Sequence, residues 1–414
     1  MELVPQAAAP PHPGAFADEF GVAVQSLRQA VDRLLRSLDA DPSRPQDLSR
    51  RFGLNKNLTW KLSRLIASSD PAAALRFVPG NSGLKIVRDT LGSMAGAERD
   101  AELAAAIERF DAMVNRHAGD RSSLEMLVQG LAHERLEPET LEAARRLAFQ
   151  GNSAIWGVQA RVQLSATVLY PSASKPGWVD TLDIGGLLDF RRIRPEVRWQ
   201  LFGRQSYDLD AGLPKPSESE PIVPPAGGPG GAPLLPQFCT SPLPRVDAEP
   251  TSDQVRYVLP GGPIGNTAQL TCVYATVTRE IGPATVDTDD GWSEIGTNLI
   301  TPVEHVQLDV LVHEDLQLPP FPEVRLLGRM DGHSPFAAGE RSGRSLPFGE
   351  RVVDLGRGLT GLASAQVPGC AEIVAYALEQ VGWSSEKLRG WRFSMPFPPI
   401  PAIAAIALPL PQRK

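Results

Sequence analysis

The sequence predicts an α+β fold: an N-terminal all-helical bundle containing a helix-turn-helix, followed by a mostly antiparallel β-rich domain with few helices. Apolar residues recur at three- and four-residue steps through most of the first 155 positions, which is the period of amphipathic helices. From residue 158 the period becomes two, as expected for half-buried strands. The chain has 414 residues, more than one core usually serves, so we expect more than one domain.

The predicted helical domain covers residues 16–155. Residues 1–15 precede it, are rich in Pro and Ala, and are expected to be disordered. Asp70 followed by Pro71 is typical of an N-cap and a first helical position. Apolar periodicity predicts helices at about 16–38, 82–91, 97–116, 123–134 and 138–152, in addition to the pair within 44–66.

The predicted α+β domain covers residues 156–414. Residues 211–250 within it are rich in Pro, Gly and Ser and lack apolar periodicity, which indicates a loop or linker. If the strands on either side share a sheet, this stretch is an insertion in one domain, which is the arrangement we favour. Strands are predicted at 158–169, 197–202, 255–259, 269–278, 301–312, 390–395 and 402–408, and one helix at 371–381.

Composition indicates a protein of the cytoplasm without a membrane partner. The three cysteines are far apart and form no CxxC pair, so neither a zinc ribbon nor a disulfide framework is expected. The N-terminus lacks the basic start and apolar core of a signal peptide. The longest apolar run, residues 400–410, is broken by Pro401 and Pro409 and is too short to span a membrane.

One segment points to a function. Residues 44–66, RPQDLSRRFGLNKNLTWKLSRLI, predict a helix, a tight turn at Gly53-Leu54 and a second helix, which is the pattern of a DNA-binding helix-turn-helix. Although the net charge of the chain is −7, residues 44–88 hold nine basic and two acidic side chains, a local excess that favours nucleic acid. The predicted DNA-binding residues are Arg50, Arg51, Lys56, Asn57, Trp60, Lys61 and Arg64.

These side chains suit different parts of a DNA duplex. Asn57 has the geometry to pair with adenine, and Lys61 or Arg64 with guanine or phosphate. The basic side chains at the turn are expected to hold the sugar–phosphate backbone. The expected partner is double-stranded DNA, bound by a homodimer because palindromic sites double the contact surface.

The segment GLNKNLTWKLSRLI resembles the second half of the motif in IclR-like and related winged-helix bacterial transcription regulators. Gly53, Leu54, Lys56, Lys61 and Leu62 match that pattern in place, and the resemblance covers residues 44–66 only. It implies a transcriptional regulator whose C-terminal domain senses a small molecule, binds a protein or dimerises. In place of the β-hairpin of winged-helix proteins, the Asp70-Pro71 N-cap introduces another helix.

A second interpretation of the same segment is an αα-hairpin within a bundle, its basic face exposed to water. On that interpretation the protein is a non-enzymatic interaction or structural protein whose helical module does not bind DNA. We expect no enzyme activity, no cofactor and no metal site, since P-loop, GxSxG and HExxH patterns are absent.

Three further segments carry side chains that could bind a metal ion or act as a nucleophile. In residues 304–315, His305 and His313 are eight positions apart, roughly 26 Å along a strand, so a polar outer strand face is expected. Asp287, Asp289 and Asp290 predict a solvated turn rather than a cation site. Cys370 begins a predicted helix, where a thiol has a lowered pKa, although a small buried residue is the default.

Overall fold

The computed structural model describes residues 15–131, 138–204, 206–208, 213–215, 219–225, 228, 230–250, 255–286, 291–329 and 344–412. Contacts divide the chain into two compact units, Met1–Leu136 and Glu137–Lys414, called the helical unit and the sheet unit below. Across the described residues the predicted α+β fold class is confirmed, with helices in the first unit and most strands in the second. No helix among them is long and apolar enough to cross a membrane.

The described part of the helical unit consists of short and long helices around one apolar core. The two longest helices pack against each other, and every buried residue of the core cluster is apolar. A π-helical turn, Arg88–Gly92, joins the fifth and sixth helices. The helices are α1 (Ala15–Ser37), α2 (Pro45–Phe52), α3 (Lys56–Ala67), α4 (Pro71–Leu75), α5 (Asn81–Val87), α6 (Ser93–Ala95), α7 (Ala97–His117) and α8 (Arg121–Leu131).

Local chemistry explains the boundaries of α2, α3 and α4. Gly53 ends α2 with a φ of 67°, a left-handed conformation that glycine adopts without a steric penalty. Asn55 caps α3, its side-chain oxygen accepting from the backbone N–H of Asn57 at 2.8 Å. Asp70 caps α4 in the same way. The predicted helix–turn–helix geometry at residues 44–66 is therefore present.

The described part of the sheet unit contains four sheets and two α-helices. A seven-stranded sheet has the order β13-β14-β11-β1-β2-β9-β6, and its β1–β11 pair is parallel whereas its other pairs are antiparallel. The smaller sheets have the orders β10-β15-β12, β3-β8-β7 and β4-β5. The elements are α9 (Pro138–Trp156), β1 (Val158–Pro171), β2 (Trp178–Arg192), β3 (Trp199–Arg204), β4 (Ser206–Asp208), β5 (Leu213–Lys215), β6 (Glu220–Pro221), β7 (Asp247–Pro250), β8 (Val255–Leu259), β9 (Leu270–Pro283), β10 (Trp292–Leu299), β11 (Val303–His313), β12 (Glu323–Gly328), β13 (Val353–Arg357), α10 (Cys370–Val381), β14 (Leu388–Pro396) and β15 (Ala402–Pro409).

Both faces of the large sheet are covered near its centre. One face packs against α10, with Leu164 and Ala166 of β1 in the same cluster as Ile373 of the helix. The opposite face packs against the β10-β15-β12 sheet, where Val310 of β11 shares a cluster with Ile406 of β15. Because β11 is an interior strand covered on both sides near its middle, Gln307 and Asp309 there are removed from bulk water.

Helix α9 belongs to the sheet unit in its contacts, packing on β1, β11 and β14. Described parts of the Pro- and Gly-rich stretch also lie in this unit: Leu234 and Leu235 are buried in its core, and β6 pairs with β9. The predicted domain boundaries, with the helical domain ending at residue 155 and a disordered segment at 1–15, stay predictions. Residues 1–14 lie outside the described residues.

Candidate functional site

The predicted DNA-binding side chains lie on α2, α3 and the turn between them. All are exposed except Lys61, which is half-buried. Arg51 donates to the backbone oxygen of Asp39 at 2.7 Å, and the guanidinium of Arg64 lies 5.7 Å from the ring centre of Trp60. Trp60 also contacts Phe77 edge-on at 5.5 Å. Whether Arg50, Arg51, Lys56, Asn57, Trp60, Lys61 and Arg64 contact DNA stays a prediction.

The wing of a winged-helix domain is not found in the described part of the helical unit. After α3 the chain continues into α4 and further helices, and residues 68–131 contain no strand. Asp70 and Pro71 explain this, since a cap and a first-turn proline start a helix where a hairpin strand would begin.

The sheet unit has a line of polar side chains on the α10 side of β11 and β14, called the polar row here. On β14, Arg392 is opposite Asp309 and Ser394 is opposite Gln307. Asp309 and Gln307 have no exposed surface. The prediction of a solvated outer face for residues 304–315 is wrong, because β11 is central in its sheet and both faces are covered. The row consists of His305, Gln307, Asp309, Arg392 and Ser394.

An ion pair with full hydrogen bonding forms the buried end of the polar row. Arg392 binds both carboxylate oxygens of Asp309, at 2.6 and 2.8 Å, and donates to the backbone oxygens of Leu362 and Ala363. Gln307 donates to the same carboxylate at 2.9 Å. Such bonds compensate the desolvation of a buried charge, so this end of the row is a structural anchor.

Cys370 lies against that ion pair at the start of α10. Its sulfur is 3.6 Å from the carboxylate of Asp309 and 3.4 Å from the amide nitrogen of Gln307. Burial, followed by the nearby carboxylate, raises the pKa of the Cys370 thiol to about 12. The thiol is therefore protonated at neutral pH and is no nucleophile, as expected for a small buried residue and not for an activated helix-start cysteine.

The other end of the polar row pairs a serine with a histidine. The Nε2 atom of His305 is 2.5 Å from the hydroxyl oxygen of Ser394. Both side chains remain partly exposed. Burial, and then the positive charge of Arg161, lowers the pKa of His305, whereas the carboxylate of Glu350 raises it. His305 is therefore mainly neutral at pH 7, and the ring nitrogen that carries no proton is able to accept one.

No metal site is found in the described part of the chain. There, no group of three or more His, Cys, Asp or Glu side chains is placed to hold an ion. Asp287, Asp289 and Asp290, which the sequence assigned to a solvated turn, lie outside the described residues. His305 and His313 face the same side of β11 but do not approach each other, as their spacing predicts.

A cavity of about 500 Å³ lies elsewhere in the sheet unit and is called the Trp pocket here. Such a volume suits a small organic molecule. Trp156 and Trp199 both line it and contact each other edge-on, with ring centres 6.0 Å apart. The remaining lining residues are Arg198, Gln200, Glu249, Arg256, Val258, Ile300, Ile400 and Pro401.

The two tryptophans are positioned in different ways. Trp156 is the last residue of α9, and Gly157, with a φ of 74°, ends the helix in the left-handed conformation before β1 begins. Trp199 donates from its indole N–H to the hydroxyl of Thr301 at 2.9 Å. One ring is anchored by that bond, while Trp156 keeps 50% of its surface exposed.

Two guanidinium groups and one carboxylate line the polar side of the Trp pocket. Arg198 donates to Glu249 at 2.6 Å and lies 3.5 Å from the carboxylate of Asp247. Arg256 is 3.5 Å from Glu249, too long for a strong charge-assisted bond. The lining therefore carries a net positive charge, and the donors of Arg256 are weakly engaged.

Sequence reasoning missed both the Trp pocket and the Ser394–His305 pair. The pocket joins α9, β3, β8 and the segment before β15. Its lining residues Trp156 and Pro401 are 245 positions apart, and no local pattern marks such a junction. A weak signal for the polar row existed, since Gln307 and Asp309 alternate with apolar residues in a strand-like stretch. Alternation alone does not say whether the polar side faces water.

Comparisons with known proteins find solved structures of a peptidase and a putative protease at low sequence identity and low TM-score. No family model matches the chain, and no curated protein matches. One solved structure, an M1 zinc metallopeptidase from Deinococcus radiodurans, is 10% identical, with 61% of this chain and 42% of that chain covered and a TM-score of 0.25. A putative protease from Parabacteroides distasonis is 10% identical, with 62% and 41% covered and a TM-score of 0.26. The chain thus spans about two fifths of their length.

These comparisons correct several predictions. The resemblance to IclR-like and winged-helix regulators is wrong, since no family model matches and the similar solved structures named above are a peptidase and a putative protease. The same findings contradict the DNA-binding regulator, the DNA partner and the absence of enzyme activity. The alternative, a helical module that does not bind DNA, is compatible with them in part. The low TM-scores assign no activity to this chain.

Proposed function

We propose that the sheet unit binds a small organic anion with a flat apolar body in the Trp pocket. The observation that carries this proposal is a pocket of ligand size whose lining includes two tryptophan rings and two guanidinium groups. Ligand sites are typically apolar concavities with a few convergent polar groups that fix orientation.

The apolar wall favours a flat body. Trp156 and Trp199 offer large ring surfaces, and Ile300, Ile400 and Pro401 extend the apolar lining. Burial of apolar surface contributes about 25 cal/mol per Å², and offset or edge-on ring contacts add to it. The partly exposed ring of Trp156 is available to cover such a body.

The charged side favours an anion. Among the described residues Arg256 pairs with Glu249 at 3.5 Å, so its planar donor fork is available to a carboxylate or similar group. Arg198 is held by its acidic partners and supplies positive potential without moving. Glu249 would repel an anion, but it is outnumbered by the two guanidinium groups and already paired with both.

A matched pair of probes tests the proposal with the full chain. Calorimetric titration with 2-naphthoate and with 2-naphthylmethylammonium compares one ring system carrying opposite charges. We expect the carboxylate to bind at least about tenfold more tightly, which corresponds to about 1.4 kcal/mol. Equal affinity, a preference for the ammonium probe, or no binding of either would contradict the proposal.

Two variants locate the binding. Arg256→Gln removes the proposed anion contact and is expected to weaken 2-naphthoate binding about tenfold. Arg245→Gln is the control, because Arg245 pairs with Asp247 at 2.9 Å but does not line the pocket. If both substitutions weaken binding equally, general surface charge rather than the Trp pocket attracts the probe.

We also infer that the protein acts in the cytoplasm. Cys239, Cys272 and Cys370 are free thiols, and free thiols persist in a reducing compartment. Cell fractionation that recovered the protein outside the cytoplasm would contradict this inference.

A further inference from the structure

The Ser394–His305 pair at the partly exposed end of the polar row has the arrangement of a nucleophile and its base. We infer that Ser394 is a nucleophile and His305 its general base in acyl transfer from small carboxylic esters. These residues do not line the Trp pocket. The inference therefore goes beyond ligand binding and is independent of the function proposed for that pocket.

Geometry is the first argument. The Nε2 atom of His305 and the hydroxyl oxygen of Ser394 are 2.5 Å apart, close enough for a hydrogen bond through which a base removes the proton of an attacking hydroxyl. The two side chains project from paired strands, β11 and β14. Adjacent strands of an interior sheet region hold them more firmly than loops would.

Electrostatics is the second argument. Glu350 faces His305 from the segment before β13 and is itself held by Arg145 of α9 and by the backbone N–H of Gly349. Its carboxylate favours the imidazolium that forms when Ser394 loses its proton, acting through charge rather than a hydrogen bond. Burial and the positive charge of Arg161 of β1 act in the opposite direction and keep His305 neutral before the reaction, and Arg161 is itself paired with Asp189 at 2.5 Å.

Accessibility is the third argument. His305 and Ser394 are only partly buried, and neither side chain is among the fully buried polar groups that lack a partner. The pair is therefore partly exposed to solvent, in contrast to Asp309 and Cys370 at the buried end of the row.

The reaction balances with water as the second substrate. The oxygen of Ser394 bonds to the ester carbonyl carbon as its proton moves to Nε2 of His305. The bond from that carbon to the alkoxide breaks, and the imidazolium returns the proton to the departing alkoxide. Water then attacks the acyl-serine with His305 again accepting a proton, which releases the carboxylic acid and restores the hydroxyl of Ser394.

Covalent labelling of the full chain by a fluorophosphonate probe tests the nucleophile. The serine oxygen bonds to phosphorus and fluoride leaves, and peptide mass spectrometry identifies the labelled residue. We expect label on Ser394, none there in Ser394→Ala, and a labelling rate about 100-fold lower in His305→Gln. Ser174→Ala is the control, since Ser174 is exposed and donates to the carboxylate of Glu280 at 2.7 Å, without an imidazole.

A pH profile separates a base from a merely structural histidine. We expect the labelling rate to rise with pH and level off once His305 is neutral, with a midpoint below its ordinary pKa of 6.5 and no such step in His305→Gln. Circular dichroism confirms the fold of each variant, and Ser394→Cys retains a nucleophile if the alanine variant fails to fold. No labelling of the folded protein, or a rate that His305→Gln leaves unchanged, overturns the inference.

Discussion

The two units of the chain bury different kinds of side chain. Among the described side chains of the helical unit, Thr59 is the one polar residue that is buried. The sheet unit buries charged groups, among them Asp180, Asp309 and Arg192. Because a buried charge costs free energy unless it is paired, such groups need dedicated partners. The difference directs the search for chemistry to the sheet unit, where polar groups are positioned and not merely solvated.

Breaking the buried ion pair should give the largest loss of stability. Asp309→Ala leaves the guanidinium of Arg392, which is 11% exposed, without its carboxylate, and we expect a loss of about 3 to 5 kcal/mol. Denaturant unfolding measures it. Asp354→Ala is the matched control, because Asp354 pairs with Arg389 at 2.6 Å on the surface and should cost under about 1 kcal/mol. Equal losses of stability in the two variants would show that the buried ion pair matters no more than the exposed one.

The helical unit should respond mainly to lost packing. Leu27 of α1 is fully buried, and Leu27→Ala should cost about 2 to 5 kcal/mol through lost contacts and a cavity. Val22→Ala on the same helix is the control, since Val22 is 61% exposed. Thermal unfolding of both variants compares them. A Leu27→Ala effect as small as that of the control would mean that α1 is not part of a packed core.

A glycine in β2 sharpens the comparison within the sheet unit. A Cβ atom on Gly186 would lie 2.5 Å from the backbone oxygen of Cys272. Because that oxygen belongs to the paired strand β9, it cannot easily move away. We expect Gly186→Ala to cost about 1 to 3 kcal/mol. Gly282→Ala on β9 meets nothing within 4 Å and should be nearly neutral. If the urea midpoints of both variants coincide, β2 and β9 do not approach each other at Gly186 as closely as described.

The smallest expected effect is a pH dependence from His313. Burial lowers the pKa of His313, with Lys387 acting in the same direction and Asp315 and Glu314 against it. A lowered folded pKa means that its contribution to stability is present above the ordinary value of 6.5 and is lost as pH falls toward the folded value. His313→Gln should therefore flatten the acid side of the stability profile. An unchanged profile would show that protonation of His313 is not coupled to unfolding.

The helices of the helical unit could be predicted from the sequence because polar residues there lie at the surface. The stripes that place Leu27, Leu62 and Leu65 inside follow directly from helical spacing, and all three are fully buried. Gly53 and Asp70 mark the ends of helices through local backbone chemistry. The function assigned to the basic face of α3 did not follow, because exposure of charged residues is common to most helices.

The strands and buried side chains of the sheet unit were harder to predict from the sequence because its interior is not uniformly apolar. Strand β2 was not predicted: both its faces are covered along much of its length, so apolar and polar residues do not alternate, and Gly185 and Gly186 lie within it. Strand β11 was predicted, but its polar side was assigned to water. Only long-range pairing with β14 supplies the partner Arg392 for Asp309. The pairing of distant segments is what local patterns do not contain.

Hydrogen exchange of the full chain, with and without saturating 2-naphthoate, tests most directly whether the sheet unit is where the protein binds its ligand. We expect slower exchange in the described segments that line the Trp pocket, which are residues 156, 198–200, 249–250, 255–258, 300 and 400, and no change across residues 45–67. Protection confined to residues 45–67, or no protection at the pocket under saturation, would contradict it.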